Sequence, residues 1–117
     1  ELILVEAVLA GGKVVSVAGT VIGKAQSPRI VSINGRTLEF IPEGMLLLIE
    51  NQDQPGIIGA LGTLLAQERV NIANMALSRS GGSNALAVYQ LDTAPGDAAI
   101  AEILRNPAIV SAKLIEA

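Results

Sequence analysis

The chain changes its hydrophobic rhythm near residue 43. Before that point, short apolar runs alternate with turn residues. "ELILVEAV" alternates in part and stops at Ala10-Gly11-Gly12, a turn composition between two β-prone runs. The valine-rich "KVVSVAGTVIG" follows, and then "PRIVSI" and "RTLEFI" flank Asn34-Gly35. Both of those turn residues tolerate positive φ, so the pair predicts a two-residue type I′ hairpin. Pro42-Glu43-Gly44 breaks the pattern. We place a boundary there, with an all-β segment over residues 1–43 and a second domain over 44–117.

From Met45 the rhythm alternates between strand and helix. "MLLLIEN" (Met45–Asn51) is a short apolar strand. Between Gly56 and Arg69 the apolar residues fall at 57, 58, 61, 64 and 65, which is helical spacing with one buried stripe. Pro55 stands at or just before the first turn, where its missing N–H costs nothing. "NIANMALSRS" (Asn71–Ser80) predicts a strand, Gly81-Gly82-Ser83 a turn and "NALAVYQLD" (Asn84–Asp92) a second strand. Asp97 to Arg105 predicts a short helix with Ile100, Ile103 and Leu104 on one side, stopped by Asn106-Pro107. "AIVSAKLIEA" is a last strand. The order β-α-β-β-α-β with right-handed crossovers gives a four-stranded antiparallel sheet with both helices on one face. That is the ferredoxin-like α+β arrangement.

Composition narrows the function classes. Half of the 117 residues are hydrophobic and mean hydropathy is +0.52, so the chain folds rather than staying disordered. Phe40 and Tyr89 are the only aromatics, so the core is aliphatic. Net charge is −3 with 8 Lys and Arg. No basic stripe or aromatic platform is visible, which argues against nucleic acid as a partner. There is no cysteine and no histidine. This removes thiolate metal sites, disulfides and the commonest general base. No apolar run approaches the ~20 residues that span a bilayer, and Glu1 and Glu6 flank the first apolar stretch, so no signal peptide is recognisable. A cytoplasmic protein is expected. The chain starts inside a predicted strand and without methionine, so we expect it to be part of something longer.

No enzyme constellation is complete. Serine nucleophiles lack a histidine base, and the acids are scattered. "GIIGALGTLL" carries glycines at 56, 59 and 62. It resembles a dinucleotide loop only weakly, because it lies in a helix-period pattern. Glycines at that spacing share roughly one face and would let the helix approach the sheet or a neighbour closely.

Polar residues gather at both ends of the first helix. Upstream stand Asn51, Asp53 and Pro55-Gly56. The first backbone N–H groups of a helix have no intrahelical partner and carry the positive end of its dipole, which suits a carboxylate. Asp53 can accept from an ammonium group, and Asn51 can donate and accept. The set suits a zwitterion; equally, Asn51 or Asp53 would form an Asx-turn or cap the helix. Downstream, Asn71 and Asn74 would take left-handed cap positions. A helix of about 14 residues is about 21 Å long, so one small ligand cannot touch both clusters in one chain. Arg29 and Arg36 flank the first hairpin, as ordinary surface charges or as a joint anion site.

Three stretches, "NQDQPGIIGALGTLL", "VNIANM" and "ALAVYQLD", make residues 45–117 resemble an ACT domain, a small regulatory fold that often binds amino acids. "VSVAGTVIGKAQSPRIVSINGRTLEFIPEGMLL" is similar to the second part of the allosteric substrate-binding domain of long-form D-3-phosphoglycerate dehydrogenases. The chain thus resembles the C-terminal regulatory tail of that family, which oxidises 3-phosphoglycerate with NAD and whose members with a working site bind L-serine between ACT domains and are inhibited by it. The resemblance implies no catalytic residue, no metal and no cofactor in this segment, with NAD held in upstream domains. It implies L-serine or a similar small amino acid as ligand, and a homo-oligomer paired through its ACT domains. Asn51, Asp53, Gly56 and the adjacent amides of Ile57 and Ile58 then form the effector site of one chain, and Asn71 reaches the effector from the facing chain. Asn51 departs from the His or Tyr of some relatives. Arg29 and Arg36 match basic positions of the family's anion site. Two other readings stay open: the regulatory part of an iron–sulfur L-serine dehydratase β chain, and a ligand-free ACT dimerisation module.

Overall fold

The computed structural model describes residues 2–8, 14–22, 27–33, 36–79 and 84–117. The chain divides into two units, Glu1–Pro42 and Glu43–Ala117. In the first, Leu2–Val8 (β1), Val14–Ile22 (β2), Ser27–Ile33 (β3) and Arg36–Phe40 (β4) form an antiparallel sheet in sequence order. β-Branched residues dominate β2, whose side chains suit a pleated surface. Ile33 faces Arg36 and Ser32 faces Thr37, which leaves two residues between partners, the count of a tight hairpin. The expected turns at Gly11-Gly12, Asn34-Gly35 and Gly81-Gly82-Ser83 lie outside the described residues.

The second unit has the strands Met45–Gln52 (β5), Ile72–Arg79 (β6), Asn84–Leu91 (β7) and Ile109–Glu116 (β8), with helices Ile57–Gln67 (α1) and Asp97–Leu104 (α2). The sheet order is β6-β7-β5-β8 and every pairing is antiparallel. This is the ferredoxin-like βαββαβ topology. Alternate residues of the central strands, Leu47 and Ile49 of β5 and Ala87, Tyr89 and Leu91 of β7, share a core with Ile57, Leu61 and Leu65 of α1 and Ile103 of α2. Both helices therefore cover one face. Leu47, Ile49 and Leu65 are fully buried, each worth roughly 1.5–3 kcal/mol in water-excluded area.

α1 is shorter than its apolar pattern predicts, 11 residues and not about 14. It is about 16 Å long. Its C-terminus closes by backbone alone. Arg69 N–H donates to Ala66 O at 3.0 Å and Val70 N–H to Leu65 O at 2.8 Å, the paired bonds of a Schellman motif. Arg69 takes the left-handed conformation at φ 59° and is the only non-glycine to do so among the described residues. The sequence assigned that role to Asn71 and Asn74. Both instead enter the β6 region: Asn71 precedes the strand and Asn74 lies in it, because the chain has already reversed at Arg69.

α1's glycines do not pack closely. A Cβ on Gly59 or Gly62 would meet nothing within 4 Å. The expectation that they bring the helix down on the sheet is corrected: the apolar stripe of Ile57, Leu61 and Leu65 does that, and the glycines face away from it.

Candidate functional site

Three strands place their residues in transverse rows beneath the start of α1. Arg79 of β6 pairs with Ala85 of β7, and Ala85 pairs with Asn51 of β5. The next row is Leu77, Ala87 and Ile49, and the third is Met75, Tyr89 and Leu47. Adjacent strands lie about 4.8 Å apart, so the two ends of a row are about 10 Å apart. The middle residues of the first two rows are alanines, which leaves a hollow. The turn after β5 runs over it.

The result is a half-open cavity of about 350 Å³. Its wall is the turn and first helical residues, from Asn51 through Asp53 and Gly56 to Ile57, Ile58 and Gly59. Ala85, Ala87 and Tyr89 lie beneath, with Leu77 and Arg79 along β6. Asn51 is placed by a β-bulge: the β5–β8 register shifts between Glu50 and Asn51. Such bulges re-aim side chains at sheet ends. Asn51 is buried, and its amide donates to the Gln52 carbonyl at 2.7 Å. Tyr89 is 1% exposed, and burial pushes its phenol above the ordinary value near 10.0.

The N-terminus of α1 is capped by Gly56 at φ 92°, with no side-chain hydrogen bond. Neither Asn51 nor Asp53 caps the helix, which corrects the capping role that their spacing allowed. Gly56 supplies the left-handed turn that a side chain would strain. It turns the first-turn N–H groups, which lack intrahelical partners, toward the cavity end of the helix. Ala60 N–H, the first to find an intrahelical acceptor, bonds Gly56 O at 2.9 Å.

Asp53 is committed elsewhere. Its Oδ2 accepts a hydrogen bond from Arg79 Nε at 2.9 Å, with the aspartate side chain 30% and the arginine 68% exposed. An exposed pair of this kind adds only about 0.2–1 kcal/mol, far less than the core beneath it. Nothing in the spacing of the chain pointed to Arg79, which lies 26 positions from Asp53. Only the strand register brings the two together.

The other predicted site residues stand apart. Asn71 lies beyond the far end of α1, outside the cavity lining. Its amide donates to Asp92 Oδ2 at 2.8 Å, while Asp92 N–H donates to Asn71 O at 3.0 Å. Arg29 stands opposite Thr20 in β2, and Arg36 stands opposite Ile33 at the hairpin end of β4. Four strand positions separate Arg29 from Ile33, about 13 Å along the sheet. Among the described residues no cluster of acids, histidines or cysteines could hold a metal, and no helix is long and apolar enough to cross a membrane.

Residues 45–107 match the model of the ACT domain family. The chain is also similar to proteins named D-3-phosphoglycerate dehydrogenase. It is 40% identical over 114 residues to that of Mycobacterium leprae (strain TN), covering 96% of this chain and 21% of the relative. It is 39% identical over 89 residues to that of Bacillus subtilis (strain 168), covering 75% and 17%. The Archaeoglobus fulgidus protein is 32% identical over 108 residues, covering 90% and 20%. The chain thus spans about a fifth of the length of these relatives. With its topology and more than half of its length matched, the chain belongs to the ACT domain family.

Proposed function

We propose that this chain is an amino-acid-binding regulatory module of a D-3-phosphoglycerate dehydrogenase, with L-serine as its ligand. The parent protein would be an NAD-dependent oxidoreductase of serine biosynthesis in the cytoplasm, its NAD held by domains other than this one. The observation that carries the reading is the cavity itself. It joins an acceptor carboxylate (Asp53), a buried amide (Asn51) and uncapped helix N–H groups at Gly56, Ile57 and Ile58. An α-amino acid would set its carboxylate on the helix N–H groups and its ammonium toward Asp53.

The site is half of a pair in this reading. The cavity is open to solvent, and its rim residues Ile58 and Leu77 are 46% and 39% exposed. Strand β6 bounds the sheet on that side, and an edge strand offers a row of backbone groups to another chain. A second copy aligned along β6 would cover the rim and bring its Asn71 to the first chain's ligand. For that, Asn71 exchanges its bond to Asp92 for one to the ligand. Serine touching both chains favours the paired state by its differential affinity, and so signals to the rest of the parent protein. Arg29 and Arg36 would serve an anion only with help from outside this chain, given their separation along the hairpin.

Calorimetric titration with L-serine tests this. Binding at millimolar or lower concentration, lost in Asp53→Ala without unfolding, is expected. Absence of heat at millimolar serine would remove the reading. Amide exchange adds the second arm: protection at residues 51–58 and 71–74 together is expected for the paired site.

A further inference from the structure

The ion pair in the cavity wall sets a condition on the ligand. Arg79 and Asp53 both line the cavity, and Arg79 Nε holds Asp53 Oδ2 at 2.9 Å. Asp53 is the acceptor that the proposed ligand's ammonium needs. We infer that Arg79 is a built-in competitor for that ammonium, so that ligand entry is an exchange of cations at Asp53. This rests on the function proposed above and adds a specificity element to it.

Three features support an exchangeable pair. The contact reaches across the rows of the sheet from its edge strand, with Ala85 between Arg79 and Asn51 too small to wall it in. The Arg79 side chain is 68% exposed, so released Arg79 regains water at little cost. The pair is also weak by its exposure. An ammonium brought into the same cavity, with its carboxylate already on the helix N–H groups, competes with it directly. A weak, solvated pair serves as a latch that a small cation can open; a buried one would not.

The exchange discriminates by charge. A zwitterion supplies the cation that replaces Arg79. A hydroxy acid of the same skeleton, such as glycerate, has a carboxylate but no ammonium. It cannot compensate Asp53, so Asp53 stays with Arg79. Were Arg79 absent, the free Asp53 carboxylate would repel the hydroxy acid and attract the amino acid. Arg79 therefore lowers affinity for the amino acid and raises it for the hydroxy acid. Its removal moves the two in opposite directions, which a purely structural role would not do.

The test uses the whole 117-residue chain, with L-serine and L-glycerate, the hydroxy acid of the same configuration, titrated into wild type, Arg79→Gln and Arg79→Lys. The lost competitor is worth the strength of an exposed pair, so Arg79→Gln is expected to tighten serine binding by about 1.4- to five-fold. Glycerate binding should weaken or stay undetected, and Arg79→Lys should restore wild-type behaviour. Serine binding that is unchanged or weaker in Arg79→Gln overturns the exchange and leaves the serine site standing. Serine binding by neither protein overturns both. Serine binding by Arg79→Gln alone supports the exchange in its strongest form. Unfolding of Arg79→Gln would show the pair to be a structural staple, and would overturn the exchange as well.

Discussion

The amide of Val70 donates to the carbonyl of Leu65 at 2.8 Å, across a single left-handed residue, Arg69. Leu65 is fully buried and Val70 is 6% exposed, so the hydrogen bond and an apolar contact close the end of α1 together. Glycine is the usual residue at this position because a Cβ crowds the left-handed conformation. Here an arginine bears the strain. Arg69→Gly is expected to raise stability by about 0.5–1 kcal/mol, read by urea denaturation with an unchanged m-value. A loss of stability would mean that the arginine side chain contributes more than its backbone costs.

That motif also explains what the sequence did and did not reveal. The strand and helix order was legible because short apolar runs bounded by turn residues mark the strands, as in Met45–Gln52, while a 3.6 period marks the helix between Ile57 and Leu65. Asn71 and Asn74 looked like caps because asparagine tolerates the left-handed region. Yet the reversal was already complete two residues before Asn71, in a residue type that gives no such signal. The candidate site was half legible. Its turn is contiguous in sequence, so Asn51, Asp53 and Gly56 could be read together. Arg79 enters only through the register of β6 on β7 and β7 on β5, and a one-residue slip would turn it to the other face.

The core and the cavity wall differ sharply in what they contribute to stability. Leu65→Ala empties a fully buried position next to the Schellman closure, and should cost about 2–5 kcal/mol. Asp53→Ala breaks only the exposed pair with Arg79, and should cost under about 1 kcal/mol. Chemical denaturation of the two variants against wild type checks the contrast. An Asp53→Ala loss as large as that of Leu65→Ala would mean that this side chain holds the turn, and that any loss of ligand binding in it reflects unfolding.

Tyr89 makes stability fall in alkali. It is the only tyrosine, and burial raises its phenol above 10.0. Above pH 10 the unfolded phenol gives up its proton while the folded one keeps it. The folded state then binds more protons, so stability falls as pH rises from 10 through the folded value, and this contribution is fully present below pH 10. Phenolate absorbance, which reports Tyr89 alone, should titrate later in the folded chain than in urea. Denaturation midpoints in Tyr89→Phe should decline less over the same window. Coincident phenolate curves in folded and unfolded protein would show that the ring is open to solvent.

Gly59 and Gly62 stand three residues apart on α1 and neither would crowd a Cβ. Gly62 lies in the helix interior and Gly59 in its first turn, and alanine is favoured over glycine within a helix by about 0.5–1 kcal/mol. Gly59→Ala and Gly62→Ala should therefore each stabilise the fold by about that amount, and similarly to one another. Their effect on ligand should differ. Gly59 lines the cavity and Gly62 does not, so a methyl at 59 narrows the space beside the helix N–H groups while one at 62 leaves it untouched. Thermal unfolding paired with serine titration separates the two effects. A rise in Tm in both, with weaker binding in Gly59→Ala alone, is expected. Equal weakening in both would instead place the sensitivity along that helix face as a whole, where a neighbouring chain would need both glycines bare.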